Sequence, residues 1–220
     1  MEQIILKQIE PWMPEHLELV EKADILIKAR EQDDKIEEKR LLKLNMEEAD
    51  YATLCFSKVR FENCSFFDCS FRKCEFTDVI FKGCNFSNCT FTDTYINRCQ
   101  FLSSKGTGTN FSGSSIQNFL IKQSNMNYAN FDGCKLEKLI VENTELNSGN
   151  FSDCRCKEVE WNQVQLKNAS FFHTLLKGMD FTTCVIEGLI LSDDFRELKG
   201  LSVDLYQAAE ISKRLGIIIK

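Results

Sequence analysis

Every fifth residue from Met46 to Leu191 is apolar, with Gly106 as the one exception. The series opens with Met46 and Tyr51 and continues through eight successive Phe residues, Phe56 to Phe91. It then passes Ile96 and Phe101, and after Gly106 resumes in the same register from Phe111 onward. Fourteen of the 18 Phe residues fall in this single phase. A helix repeats every 3.6 residues and a flat strand every 2, so neither gathers a five-residue series on one face. A square coil does: each pentapeptide forms one side, its fifth residue points to the axis, and four sides close a 20-residue turn. At roughly 4.8 Å per layer, thirty such positions build a rod about 36 Å long. The expected fold is therefore an all-β solenoid.

A second phase, two residues earlier, is rich in small side chains: Cys64, Cys69, Cys74, Cys84, Cys89, Cys99, Ser114, Ala129, Cys134, Gly149, Cys154, Ala169 and Cys184. The other three phases are mostly Asn, Asp, Ser, Thr, Lys and Glu. In units such as Cys64-Ser65-Phe66 and Ala129-Asn130-Phe131 the chain resembles the pentapeptide-repeat family over about residues 46 to 201. That resemblance implies a right-handed quadrilateral β-helix.

An open solenoid end leaves unpaired backbone and an apolar cross-section, so caps are expected. Residues 1–45 read as an N-terminal helical and charged cap, with an amphipathic helix over Glu15–Arg30 carrying Leu19, Ala23, Leu26 and Ile27. The charge run Asp33–Arg40 reads as a solvated helix or loop. Residues 46–201 are the β-helix, and residues 202–220 a short C-terminal helix and tail. Asp204 and Gln207 form a helix-starting box and Gly216 a stop. Leu205, Ala208, Ala209, Ile211, Ser212 and Leu215 lie on that helix, followed by Ile217, Ile218 and Ile219. These residues read either as a monomeric cap or as a tail-to-tail homodimer interface, and the Ile run favours the dimer.

The rod, Gly200-Leu201, a short helix and Arg214-Leu215-Gly216-Ile217 together resemble the quinolone-resistance (Qnr-type) branch of the family, which implies dimerisation through the C-terminal helix. Pro11-Trp12-Met13-Pro14-Glu15 resembles the chromosomal Qnr-like proteins of Gram-positive bacteria. Projecting loops are not expected. Ser103, Ser104, Lys105, Gly106, Thr107 and Gly108 keep the five-residue spacing, so they form a bend or replace a side rather than adding one.

No catalytic motif is visible: the two histidines, His16 and His173, are far apart, and no zincin, nucleophile-elbow or phosphate-loop sequence occurs. No enzyme, cofactor or metal site is expected, and the 11 cysteines read as reduced, buried thiols of a cytoplasmic protein. No run is long enough to span a membrane. The net charge of -6 argues against direct nucleic-acid binding.

Function therefore rests on the surface. The Qnr resemblance implies binding to DNA gyrase and topoisomerase IV by mimicry of duplex DNA, with protection from quinolones. Bulk mimicry fails, because 36 Å of duplex carries about 21 phosphate charges, whereas residues 46–220 hold 22 acids and 19 bases. A local stripe remains: the side built on Phe71, Phe91, Phe111, Phe131, Phe151 and Phe171 shows Asp93, Asp132, Asp153 and Asp193 outward, with no Lys or Arg after Lys73. The side built on Leu136, Cys156 and Leu176 carries Lys135, Lys138, Arg155, Lys157 and Lys177. The alternative is a generic protein-interaction scaffold with an unrelated partner.

Overall fold

The computed structural model of the protein describes residues 9–219. In chain order its elements are β1 (Glu18–Val20), α1 (Asp24–Gln32), β2 (Ile36–Glu37), β3 (Lys39–Leu42), β4 (Asn45–Glu47), β5 (Cys55–Glu62), β6 (Ser65–Phe67), β7 (Glu75–Lys82), β8 (Tyr95–Leu102), β9 (Ser115–Lys122), β10 (Lys135–Glu142), β11 (Arg155–Asn162) and α2 (Leu205–Arg214). The six eight-residue strands recur every 20 residues and pair in parallel, Phe56 on Phe76 and Phe76 on Ile96, through to Leu136 on Cys156. This is the parallel β-solenoid that the five-residue phase requires.

Each long strand covers two sides of the square, bending at a left-handed residue such as Lys58, Asp78 or Arg98. Apart from the short β4–β6 pair, the other two sides are turns joined by single bridges, among them Ser70 to Thr90, Thr90 to Asn110 and Asn110 to Asn130. On these sides fall Asn-Phe-Ser triplets such as Asn110-Phe111-Ser112 and Asn150-Phe151-Ser152. Asn110 and Asn150 side-chain oxygens accept the backbone N–H two residues on, from Ser112 and Ser152, and so shape the turn around the inward Phe. Phe71, Phe91, Phe111, Phe131, Phe151 and Phe171 then stack face to face, with successive ring centroids 4.8 to 5.1 Å apart. Such pairs stabilise by roughly 0.5–1.5 kcal/mol beyond simple burial.

The small phase does more than save space. Its thiols and hydroxyls donate to the carbonyl 23 residues back, Cys89 to Phe66 at 2.9 Å, Ser114 to Phe91 at 2.8 Å and Thr174 to Phe151 at 2.6 Å. Several of the hydroxyls also accept a backbone N–H from the previous coil, Cys84 N–H to Ser104 and Thr94 N–H to Ser114. The small side chains thus add hydrogen bonds between layers to those of the backbone, as buried polar groups require. Burial pushes the thiols of Cys74 and Cys99 up to about 12, so they stay protonated at neutral pH.

The ends depart from expectation. Pairing begins well before residue 46: β2 lies on Phe56–Ser57, β3 joins β5, and β1 adds outside β3. The charge run is therefore coil, not a solvated helix or loop, because Ile36 and Leu41 belong to the inward phase and are buried. The N-terminal helix occupies only Asp24–Gln32; Leu19 sits exposed on β1, Ile27 is half-exposed, and Leu26 and Ala29 are the buried residues. At the other end α2 spans Leu205–Arg214 with the full capping box of Asp204 and Gln207, and Gly216 is left-handed at φ 77°.

Candidate partner-binding surfaces

The solenoid places outward residues 20 apart directly above one another, so Asp93 and Asp153 share a column three layer steps apart, roughly 14 Å, with Asp132 one position to the side of it. Asp93 and Asp153 occupy left-handed corners and are exposed; Asp132 is half-buried, its N–H held by Asn130. The Asp93 carboxylate folds over Gly113, 2.8 Å from where a Cβ there would stand. Asp153 meets His173 Nδ1 at 3.2 Å, so this side holds a histidine that sequence sorting by Lys and Arg overlooked. Asp193 is exposed in the final turn. Left-handed corners favour Asn, Asp and Gly, so two of the four acids also have a conformational reason.

Ser103–Gly108 form an ordinary side of the coil. Lys105 bridges Asn85 and Asn125, Ser104 is buried, and Gly108 takes a corner at φ 69°. Gly106, the gap in the apolar series, is filled from the next layer: a Cβ there would come 2.5 Å from Met126 Sδ.

The C-terminal residues divide. Ile211 packs partly on the rod, and Ala208, Ala209 and Ser212 are half-buried, whereas Leu205, Leu215, Ile217, Ile218 and Ile219 are exposed. Tyr206, not singled out from sequence, is 83% exposed and belongs with them. The helix is fixed by Gln207, whose Nε2 donates to the carbonyls of Phe181 and Cys184 at 2.8 Å each, and by Arg214 donating to Leu189. A cavity of about 430 Å³ remains between helix and rod, lined by Val185, Leu189, Phe195, Tyr206 and Ile211 among others.

Sequence reasoning also missed Glu197. It is buried in the last turn, where its carboxylate accepts His173 N–H at 2.9 Å, Ser192 N–H at 3.2 Å and the Ser192 hydroxyl at 2.8 Å. Burial alone would raise its pKa; these donors outweigh that and hold it below the ordinary 4.5. A second omission is the chain before β1. Trp12 N–H donates to Asp78, Ile9 accepts from Gln100, and Ile9 covers Leu120 and Ile140 on the outer face of the strands. Their apolar character at an outward position was the available signal.

Among the described residues no group of three or more His, Cys, Asp or Glu is arranged to hold a metal, and no helix is long and apolar enough to cross a membrane.

Residues 54–131 and 74–151 match the pentapeptide repeat region. Residues 54–151 of the chain thus carry pentapeptide repeats. Two trypsin-treated variants of QnrB1, a plasmid-mediated fluoroquinolone resistance protein, are similar in structure. Both are 22% identical; one covers 82% of this chain and 99% of its own at a TM-score of 0.53, the other 81% and 99% at 0.55. HetL from the cyanobacterium Nostoc, involved in heterocyst differentiation regulation, is 11% identical over 83% of this chain and 96% of its own, with a TM-score of 0.44. At these identities the likeness is one of fold. No curated protein matches the sequence.

Proposed function

We propose that this rod binds DNA gyrase and topoisomerase IV through its acidic side, protects them from quinolones, and acts as a homodimer joined through α2 and the Ile217–Ile219 tail. The observation that carries the reading is a rigid side that presents Asp93, Asp132 and Asp153 with no Lys or Arg among them. A basic DNA-binding groove is the natural complement of such a side. The fold shared with a fluoroquinolone resistance protein and the apolar C-terminal surface support it. Mimicry here is local: three carboxylates meet basic residues, while the rest of the rod supplies shape. On this reading the protein works by protein contact, without chemistry and without binding nucleic acid itself, and its N-terminal stretch allies it with the Gram-positive chromosomal proteins.

One observation favours a scaffold with another partner. Asp153 is engaged by His173, and Asp93 fills a corner where Asp is favoured on conformational grounds. The deciding experiment is supercoiling by purified gyrase with and without ciprofloxacin across a titration of this protein. Rescue near stoichiometric amounts is expected, and Asp93→Lys, Asp132→Lys and Asp153→Lys together should abolish it while the rod stays folded. Absence of rescue at any ratio would leave the scaffold reading.

A further inference from the structure

The repeat puts residues 20 apart in contact, and the protein uses that register to pair opposite charges. Lys58 meets Glu38 at 2.8 Å, Arg98 meets Asp78 at 2.7 Å, Lys122 meets Glu142 at 2.8 Å and Lys157 meets Glu137 at 2.7 Å. Where two arginines stack, Arg40 and Arg60, they share the carboxylate of Glu62. On the side that carries the Lys157–Glu137 pair, the other cations break the rule. Lys135 lies directly opposite Arg155 in the β10–β11 register, and Lys157 is followed one coil on by Lys177. Lys135, Arg155 and Lys177 are exposed, and none of them pairs with a carboxylate of a described residue; Lys138, at the corner between, is also exposed and unpaired. Like charges directly opposite one another on neighbouring strands work against folding, so the fold gives no reason for this arrangement.

The basic side adjoins the acidic one. Asp153 and Arg155 are two residues apart, across a single corner of the square. We propose that this basic side is a second docking surface, taking a carboxylate-bearing surface of the same protein partner that receives the acidic side. The inference rests on the function proposed above and adds an orientation to it: the partner must offer a basic groove with an acidic rim, so the rod seats one way round. Duplex nucleic acid is the poorer fit. The five cations stand among Glu137, Glu158 and Glu160, leaving far less positive charge than a protein making six to ten phosphate contacts presents.

The test is the double variant Arg155→Glu with Lys177→Glu, which turns both like-charged register pairs into opposite ones. Its melting temperature should equal or exceed that of the unaltered protein, by roughly one or two degrees. Its affinity for the gyrase holoenzyme, followed by surface plasmon resonance, should fall on the order of tenfold at low salt, mostly through slower association, with the gap narrowing as salt rises. Unchanged affinity overturns the second surface and leaves the acidic-side reading standing. Failure of the unaltered protein to bind gyrase overturns both. A lowered melting temperature alongside weaker binding would make these charges structural. Retention of a DNA duplex by the unaltered protein at the same salt, lost in the variant, would reassign the side to nucleic acid.

Discussion

The two ends of the rod are closed by helices of almost equal length that relate to it in opposite ways. α1 has nine residues, starts at Ala23 with no side-chain cap, and buries Leu26 and Ala29 against the first coils. α2 has ten residues, a complete capping box, cations in its last turn, and no buried residue at all. The helix with the weaker local signals is the one the core needs. The helix with the stronger signals leaves Leu205 and Tyr206 at least 80% exposed, as is Ile218 in the tail beyond it. One end is sealed by tertiary packing; the other is a locally well-capped helix pinned by a few hydrogen bonds and the partial packing of Ile211, with Leu205 and Tyr206 turned outward.

This contrast predicts a gradient of mutational cost. Leu26→Ala should have the largest effect, about 3 kcal/mol of stability in denaturant unfolding, because the side chain is fully buried. Glu197→Ala should follow at about 2 kcal/mol, since two backbone N–H groups lose their acceptor. The same carboxylate gives the open end an acid sensitivity. Its pKa is lowered by folding, so its contribution is present above the ordinary 4.5 and is lost as pH falls below it. Glu197→Gln should therefore flatten the decline of melting temperature between neutral pH and pH 3.

Gln207→Ala should cost about 1 kcal/mol, freeing the carbonyls of Phe181 and Cys184, and should raise amide exchange throughout α2. Tyr206→Ser should change the stability of the single chain by less than about 0.5 kcal/mol yet weaken self-association in sedimentation equilibrium. Loss of stability in that variant without any change in association would erase the distinction between the ends.

The same contrast explains what could be read in advance. The solenoid, its register and α2 were legible because their causes are local or periodic: a phase of five, an Asp-x-x-Gln box, a stopping Gly. α1 was misplaced because its limits are set by burial against coils far along the chain, and the charge run was misread because Ile36 and Leu41 are only two beats of the rhythm among many ions. Glu197 was invisible because its donors come from His173 and Ser192, a conjunction made by the fold. The acidic side was legible from the repeat, but the bond between Asp153 and His173 was not, since it joins residue types that sorting by Lys and Arg keeps apart.

The pattern of inter-layer donors sets the arithmetic by which such a chain can change length. A five-residue insertion preserves the inward phase, so a core would still form, but it turns every later side by a quarter. An insertion after Phe111 would carry Asp132 and Asp153 round to the next side of the square, away from Asp93, and break the ring stack at the same point. Twenty residues is the smallest step that lengthens the rod and keeps its sides facing the same way. Selection on folding alone would tolerate steps of five; a partner that grips one side would permit only whole turns.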